Sequence, residues 1–233
     1  MRYSSLALTL SAALDAELVP LTVSKDSWYI HKKHYMPSTP QAFEASWSQH
    51  PASFHPIKMF GKTVYENRYS QMWSSGAVTS YKYSGTSNPS TNFNTSTLPG
   101  SSMVSDLCSA FSSMSGLPPG TYNACLQNWY EPEHTIGLHS DDEAQLVDGL
   151  PIFSLSWGGP RRFLIRPRGG SGDEGMAFEG KVELMLEDGD LLVLGGRCQQ
   201  KTKHEVPKVR KTMDPKPGRR VNWTVRAFRA SGG

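Results

Sequence analysis

The sequence predicts a mainly β domain of the α+β class, with helices in its N-terminal part and an antiparallel sandwich or barrel after them. The chain has 233 residues, which suits one large domain or two small ones. After residue 120 it consists of short apolar runs, several of them alternating, that are separated by Gly, Pro or Asp. Short strands without intervening helices are typical of antiparallel sheets, so we expect a single β-sandwich domain.

Composition excludes several other classes of protein. Hydrophobic residues make up 37% of the chain and charged residues 19%, which is too apolar for a disordered chain and too polar for a membrane bundle. No apolar run approaches the roughly 20 residues that span a bilayer. The three cysteines form no CxxC pair, which argues against a zinc ribbon or a disulfide scaffold. We therefore expect an intracellular protein with no membrane contact. No coiled-coil pattern is present, so we also expect a monomer.

The N-terminal half contains the predicted helices. Residues 1–27 hold a short apolar run followed by acidic residues, and we interpret them as a helical extension rather than a secretion signal. A second helix is predicted over 38–50, with a Ser or Thr cap before Pro40. Residues 84–102 are rich in Ser, Thr, Asn, Gly and Pro and indicate a long loop. A third helix is predicted over 104–114.

The strands follow in close order. Six runs of four to eight residues carry the strand pattern: 123–130, 152–158, 161–167, 181–187, 190–196 and 221–228. Together with the helices before them, they predict one domain over residues 28–230.

Charge is unevenly distributed along the chain. Residues 1–150 carry 8 Lys and Arg against 12 Asp and Glu, a net charge of −4, whereas residues 151–233 carry 16 against 9, a net charge of +7. A basic C-terminal part favours a polyanionic partner such as nucleic acid, although ordinary solvated surface charge explains it equally well.

A metal site is indicated by three residues. His139 and Asp141 lie two apart after the strand 123–130, so in an extended segment they point to the same side. His204 follows the strand 190–196 and supplies a third ligand. Two histidines and one carboxylate form the facial triad of non-haem Fe(II) oxygenases. The rival interpretation is a hydrolytic zinc site, with Glu143 as its general base.

The last strand favours the oxygenase. Arg220, Asn222 and Arg226 occupy alternate positions of RRVNWTVR and therefore share one face. Guanidinium groups bind carboxylates bidentately, so this face suits a dicarboxylate cosubstrate.

Four ordered segments resemble the AlkB family of Fe(II)/2-oxoglutarate-dependent dioxygenases over residues 28 to 229. They are NWYEPEHTIGLHSDDE (128–143), PIFSLSWGGPRRFLIR (151–166), LEDGDLLVLGGRCQQKTKHEVP (186–207) and RVNWTVR (220–226). The resemblance implies a double-stranded β-helix, or jelly-roll, with His139, Asp141 and His204 as iron ligands. It implies that 2-oxoglutarate is held by Asn128, Tyr130, Arg220, Asn222 and Arg226.

The resemblance extends to substrate recognition. A nucleotide-recognition segment is expected at about 57–100, where Tyr81 and Tyr83 alternate on one strand and suit stacking on a flipped base. Packing of both rings on the sheet is the other interpretation. Asp142 and Glu143 are expected to accept hydrogen bonds from a methylated base. Arg161 and Arg162 are candidates for phosphate contact, or else belong to a solvated turn.

The implied reaction uses Fe(II), 2-oxoglutarate and O2 to demethylate N-alkylated bases, of the 1-methyladenine or 3-methylcytosine type, in DNA or RNA with release of formaldehyde. Two alternatives remain open at the level of sequence. One is a 2-oxoglutarate oxygenase that acts on a protein or lipid, and the other is a catalytically silent nucleic-acid-binding module.

Overall fold

The computed structural model describes residues 3–59, 62–76, 80–83, 86–169, 175–209 and 216–229. Its helices in these ranges are α1 (Ser5–Leu14), α2 (Pro40–Trp47), α3 (Ser101–Met114) and α4 (Cys198–Lys201). Its strands are β1 (Leu18–Pro20), β2 (Ser27–Lys32), β3 (Pro56–Met59), β4 (Lys62–Tyr65), β5 (Tyr69–Ser74), β6 (Ser80–Tyr83), β7 (Thr86–Pro89), β8 (Thr91–Asn92), β9 (Ala124–Tyr130), β10 (Ile136–His139), β11 (Ile152–Gly158), β12 (Arg161–Pro167), β13 (Val182–Leu186), β14 (Leu191–Gly196), β15 (Thr202–Val206) and β16 (Arg220–Arg226).

Two sheets form the body of the domain. The major sheet has the order β1-β2-β14-β11-β16-β9-β5-β8, and the minor sheet has the order β10-β15-β12-β13. All pairs in both sheets are antiparallel except β5 with β8. Side chains from β12, β14 and β15 meet in one buried cluster between the sheets. This is the jelly-roll arrangement that the sequence predicts.

Strand β14 shows why its sequence is continuously apolar. Leu191 and Val193 join the core cluster on the helix side, whereas Leu192 and Leu194 join the cluster between the sheets. Successive side chains of a strand point to opposite faces, and here both faces are buried.

Helices α1, α2 and α3 cover the outer face of the major sheet, whereas Cys198 of α4 packs in the cluster between the sheets. Helix α2 begins where Thr39 accepts a hydrogen bond from the Ala42 amide (3.1 Å), and Pro40 occupies its first position. Helix α3 buries Phe111, whose ring stacks on Phe153 of β11 at a centroid distance of 4.3 Å. No helix in the described ranges is long and apolar enough to cross a membrane.

The predicted elements agree with the structure except at a few places. The helices at 38–50 and 104–114 and all six predicted strands are present. In the predicted N-terminal extension only α1 is helical, because residues 18–20 form β1 and pair with β2. The predicted loop at 84–102 contains the short strands β7 and β8. Strand β8 pairs with β5 through backbone hydrogen bonds, which leave no side-chain pattern to recognise.

Candidate active site

The three predicted metal ligands converge. His139 ends β10 and lies directly opposite His204 of β15 in the antiparallel register. Asp141 lies two residues beyond His139. One ligand atom from each of the three side chains falls within 4.8 Å of the others. The β10–β15 strand pair thus brings two segments that are far apart in sequence to one site.

The protonation states suit metal binding. Burial and, to a smaller extent, the neighbouring His139 lower the pKa of His204 to about 3. Burial also lowers the pKa of His139. Burial alone would raise the pKa of Asp141, but Arg226 and the two histidines outweigh it and hold that pKa well below its usual range. At neutral pH the site therefore offers two neutral imidazoles and a carboxylate, the forms in which these groups bind metal.

The surrounding structure orients the ligands. The Nδ1 of His139 donates to the Gly137 carbonyl (2.8 Å), which leaves Nε2 for a metal. The Asp141 amide donates to Oε1 of Gln199 in α4 (2.9 Å). The His204 ring stacks on Phe163 at 5.2 Å, and its Nδ1 is buried without a hydrogen-bond partner among the described residues.

A cavity between the sheets runs from the triad toward Arg220. It is lined by polar and apolar side chains from both sheets, among them Asn128, Tyr130, Ser154, Arg220, Asn222 and Arg226. Register explains this grouping: Arg220 lies opposite Tyr130 and Asn222 lies opposite Asn128 in the β16–β9 pair. The predicted 2-oxoglutarate residues therefore share one wall.

Arg220 is the group best suited to a carboxylate. Its side chain is 2% exposed, and its Nη2 donates to Oγ of Ser156 (2.8 Å). Its Nε and Nη1 are buried with no hydrogen-bond partner in the described ranges. Burial lowers its pKa, while the nearby Tyr130 opposes that change. A buried cation without a counter-charge is costly, and a carboxylate of the cosubstrate would supply one.

Two predicted cosubstrate residues are engaged with the protein itself. The amide nitrogen of Asn222 donates to Oγ of Ser154 (2.9 Å) and to the Leu155 carbonyl (2.8 Å). Both of its hydrogens are thus used within the sheet, and the structure gives Asn222 a part in shaping the wall. Arg226 pairs with Asp141 (2.7 Å) and Glu143 (3.0 Å), which places it at the metal end of the cavity.

The predicted substrate residues are spread over several environments. Glu143 has its side chain 5% exposed against Arg226. Asp142 is exposed and pairs with Arg168 at 2.8 Å. Arg162 pairs with Glu183 at 2.5 Å. Tyr81 and Tyr83 lie on one strand, β6, as the sequence predicts, and β6 pairs with β7. Their side chains fall outside the described part of the chain.

Arg161 requires a correction. Its side chain is 1% exposed and donates to the carbonyls of Pro160, Glu131 and Gly218. This guanidinium is buried and tied to backbone, so it is not available to a phosphate group as expected. Through Pro160 and Gly218, Arg161 connects the turn after β11 to the segment before β16. These two segments touch so closely that a Cβ on Gly159 would lie 2.2 Å from the Gly218 nitrogen.

Two buried residues near the site, Glu66 and Arg68, could not be recognised from the sequence. Arg68 donates from Nε to Oδ1 of Asn128 (2.8 Å) and pairs with Glu66. Nothing in the segment ENRYS distinguishes these residues from a solvated turn, because the contact of Arg68 with Asn128 joins residues 60 positions apart in the sequence.

Comparison with known proteins agrees with this geometry. The family model of the 2OG-Fe(II) oxygenase superfamily matches residues 29–226. The chain belongs to this superfamily. Members use Fe(II), 2-oxoglutarate and O2, and the triad together with the buried Arg220 fits that set of cofactors.

Several relatives of this oxygenase are AlkB homologues. The chain is 35% identical to the alpha-ketoglutarate-dependent dioxygenase alkB homolog 3 of Mus musculus over 46% of this chain and 36% of that protein. It is 35% identical to the DNA oxidative demethylase ALKBH2 of Homo sapiens over 48% of this chain and 42% of that protein. It is 38% identical to the DNA N(6)-methyladenine demethylase ALKBH1C of Arabidopsis thaliana over 45% and 24%. The matches thus cover less than half of each relative.

The fold is similar to the solved structure of OsALKBH1. The TM-score is 0.52 at 20% identity, and the match covers 86% of this chain and 96% of that chain. The oxygenase is therefore AlkB-like in its jelly-roll architecture as well as in its sequence.

Proposed function

We propose that this oxygenase oxidatively demethylates N-alkylated bases, of the 1-methyladenine or 3-methylcytosine type, in DNA or RNA and releases formaldehyde. The observation that carries the proposal is the cavity that joins a His-Asp-His triad to the buried Arg220, which forms no ion pair with any residue that the structure describes. A triad alone suits many metals, whereas the added guanidinium selects a cosubstrate with an anionic end.

Each part of the cavity has a distinct task. His139, Asp141 and His204 would hold Fe(II), which supplies the oxidising chemistry when it is bound together with 2-oxoglutarate and O2. Arg220 would bind the carboxylate distal to the metal. The Tyr130 ring lies 5.1 Å from that guanidinium and limits its movement. Apolar side chains that line the same cavity exclude water from the reacting groups: Leu126, Ile136, Ile152, Phe163, Leu194 and Val206.

The choice of nucleic acid as substrate rests on other support. Two of the relatives are named as DNA demethylases. The hairpin β3–β4 carries exposed Lys58 and Lys62, and Tyr65 on it is 67% exposed. Amines bind phosphates and an exposed aromatic ring stacks on bases, so this hairpin suits a nucleic acid strand.

The test is a panel of matched substrates. Purified protein is incubated with Fe(II) and 2-oxoglutarate, and formaldehyde is measured for oligonucleotides carrying 1-methyladenine or 3-methylcytosine. DNA and RNA are compared, each single- and double-stranded, beside unmethylated strands of equal sequence and an N-methylated lysine peptide. The proposal requires release from a methylated oligonucleotide that exceeds both controls. Release from the peptide alone would replace it with a protein demethylase.

A further inference from the structure

A buried ion pair lies beside the cosubstrate wall. Glu66 and Arg68 stand between β4 and β5 and are 4% and 3% exposed. Nη2 of Arg68 lies 2.9 Å from Oε1 of Glu66, and Oγ of Ser70 donates to Oε2 of Glu66 (2.6 Å). Both carboxylate oxygens are thus bonded, and the guanidinium is held in one orientation.

The same guanidinium determines how Asn128 is turned. Nε of Arg68 lies 2.8 Å from Oδ1 of Asn128. An arginine can only donate, so the amide oxygen must face Arg68 and the amide NH2 must face the other way. Asn128 lines the cavity opposite Asn222. Of the two wall amides, Asn222 has both hydrogens committed within the sheet, so Asn128 is the one suited to donate to a ligand.

We infer that Arg68 is a positioning residue for 2-oxoglutarate, acting through Asn128, and that Glu66 holds Arg68 in place. Removing the guanidinium would free the amide to present its oxygen to an anionic ligand, which that oxygen repels. A buried ion pair is weak evidence for a stabilising role, since well-packed apolar side chains of similar volume often serve as well. Its contact with a cavity residue gives the pair another purpose. The inference rests on the cosubstrate part of the proposed function and is independent of the nucleic acid substrate.

The experiment measures binding rather than turnover. 2-Oxoglutarate is titrated calorimetrically, without oxygen, into Fe(II)-loaded wild type and Arg68→Lys. Lysine keeps the charge beside Glu66 but lacks the fork that reaches Asn128 as well. We expect about tenfold to a hundredfold weaker binding, as for other residues that orient a ligand-binding group. Arg166→Lys is the matched control, because Arg166 pairs with Glu205 at 3.1 Å and does not line the cavity. It should bind like wild type.

A double-mutant cycle separates positioning from general loosening. In an Asn128→Ala background, Arg68→Lys should weaken binding no further, because the residue through which it acts is gone. Equal weakening in both backgrounds, or unchanged affinity in Arg68→Lys alone, overturns the inference. Absence of binding in wild type would instead refute the proposed cosubstrate.

A second variant covers the case in which Arg68→Lys does not fold. Glu66→Gln combined with Arg68→Met leaves no buried charge unpaired. It should show the same loss of affinity and the same dependence on Asn128. Wild-type affinity in this variant would also overturn the inference.

Discussion

Arg226 of β16 donates from Nη2 to Oδ1 of Asp141 over 2.7 Å, so a major-sheet strand holds a candidate metal ligand that follows the minor-sheet strand β10. The other arm of the guanidinium reaches Oε1 of Glu143. The Arg226 side chain thereby holds residues 141–143 against β16. The carboxylate that would bind iron is oriented before any metal arrives.

The first prediction concerns this contact. Arg226→Lys keeps a positive charge but cannot bond Asp141 and Glu143 in the same fixed fork. We expect about tenfold to a hundredfold weaker Fe(II) binding, measured by anaerobic titration, with cooperative thermal unfolding retained. Metal affinity equal to that of wild type would show that Asp141 is oriented without Arg226.

The second prediction concerns the triad. His139→Ala, Asp141→Ala and His204→Ala should each abolish 2-oxoglutarate turnover, because an open three-ligand site loses its metal with one ligand gone. Metal content after dialysis should fall in parallel. His34→Asn is the control, since His34 is exposed and its positive φ of 51° is tolerated by Asn. If a triad variant turns over 2-oxoglutarate at the wild-type rate, the substituted residue is not a metal ligand.

The third prediction separates two neighbouring arginines. Arg220→Ala should weaken 2-oxoglutarate binding by roughly 2–5 kcal/mol, the cost of leaving a buried carboxylate unpaired. Arg219→Ala should leave the affinity unchanged, because Arg219 lies over Phe43 and Trp47 and pairs with Glu44 on the outside. If Arg220→Ala instead lowers only oligonucleotide binding, Arg220 is a phosphate contact.

The fourth prediction concerns acid stability. Asp190 is fully buried and accepts hydrogen bonds from His31 (2.7 Å), the His34 amide and the Glu187 amide. Burial raises its pKa, but these bonds outweigh it and the net pKa is lowered from 3.8. The unfolded chain then binds more protons, so this stabilisation is present above about pH 4 and is lost at lower pH. Asp190→Asn should cost about 1–3 kcal/mol at neutral pH and reduce the acid dependence. Urea unfolding at several pH values measures both the loss of stability and its pH dependence. If the free energy of unfolding of Asp190→Asn follows that of wild type in parallel at all pH values, the prediction is wrong.

The fifth prediction concerns Tyr83, the expected stacking residue. Tyr83→Ala should weaken a methylated oligonucleotide by about 1–3 kcal/mol, whereas Tyr83→Phe should be nearly silent because the ring face stacks. Substrate-free 2-oxoglutarate turnover should be unaffected by either change. If Tyr83→Ala unfolds the protein or lowers that turnover equally, the ring packs in the fold.

The residues that line the candidate site were more predictable from the sequence than the residues that hold them in place. The convergence of His139 and Asp141, and the shared face of Arg220, Asn222 and Arg226, could be predicted because strand alternation places residues two apart on one side, and that rule is local. Their roles as metal and cosubstrate ligands are implied by the resemblance. The burial of Arg161 could not be predicted, since it depends on the close approach of Gly159 and Gly218, which lie far apart in sequence. The role of Arg68 likewise depends on the pairing of β5 with β9. Hydrogen bonds that arise from tertiary packing produce no periodic pattern in the sequence.

The central position of β16 has a consequence for synthesis on the ribosome. This strand is made after all the others in the sheets, yet it sits between β11 and β9 and carries Arg220 and Arg226. A nascent chain that ends before residue 220 has a gap in the middle of its major sheet and no anion-binding wall. The pocket can therefore form only after residues 220–226 have been made and β16 has inserted between β11 and β9.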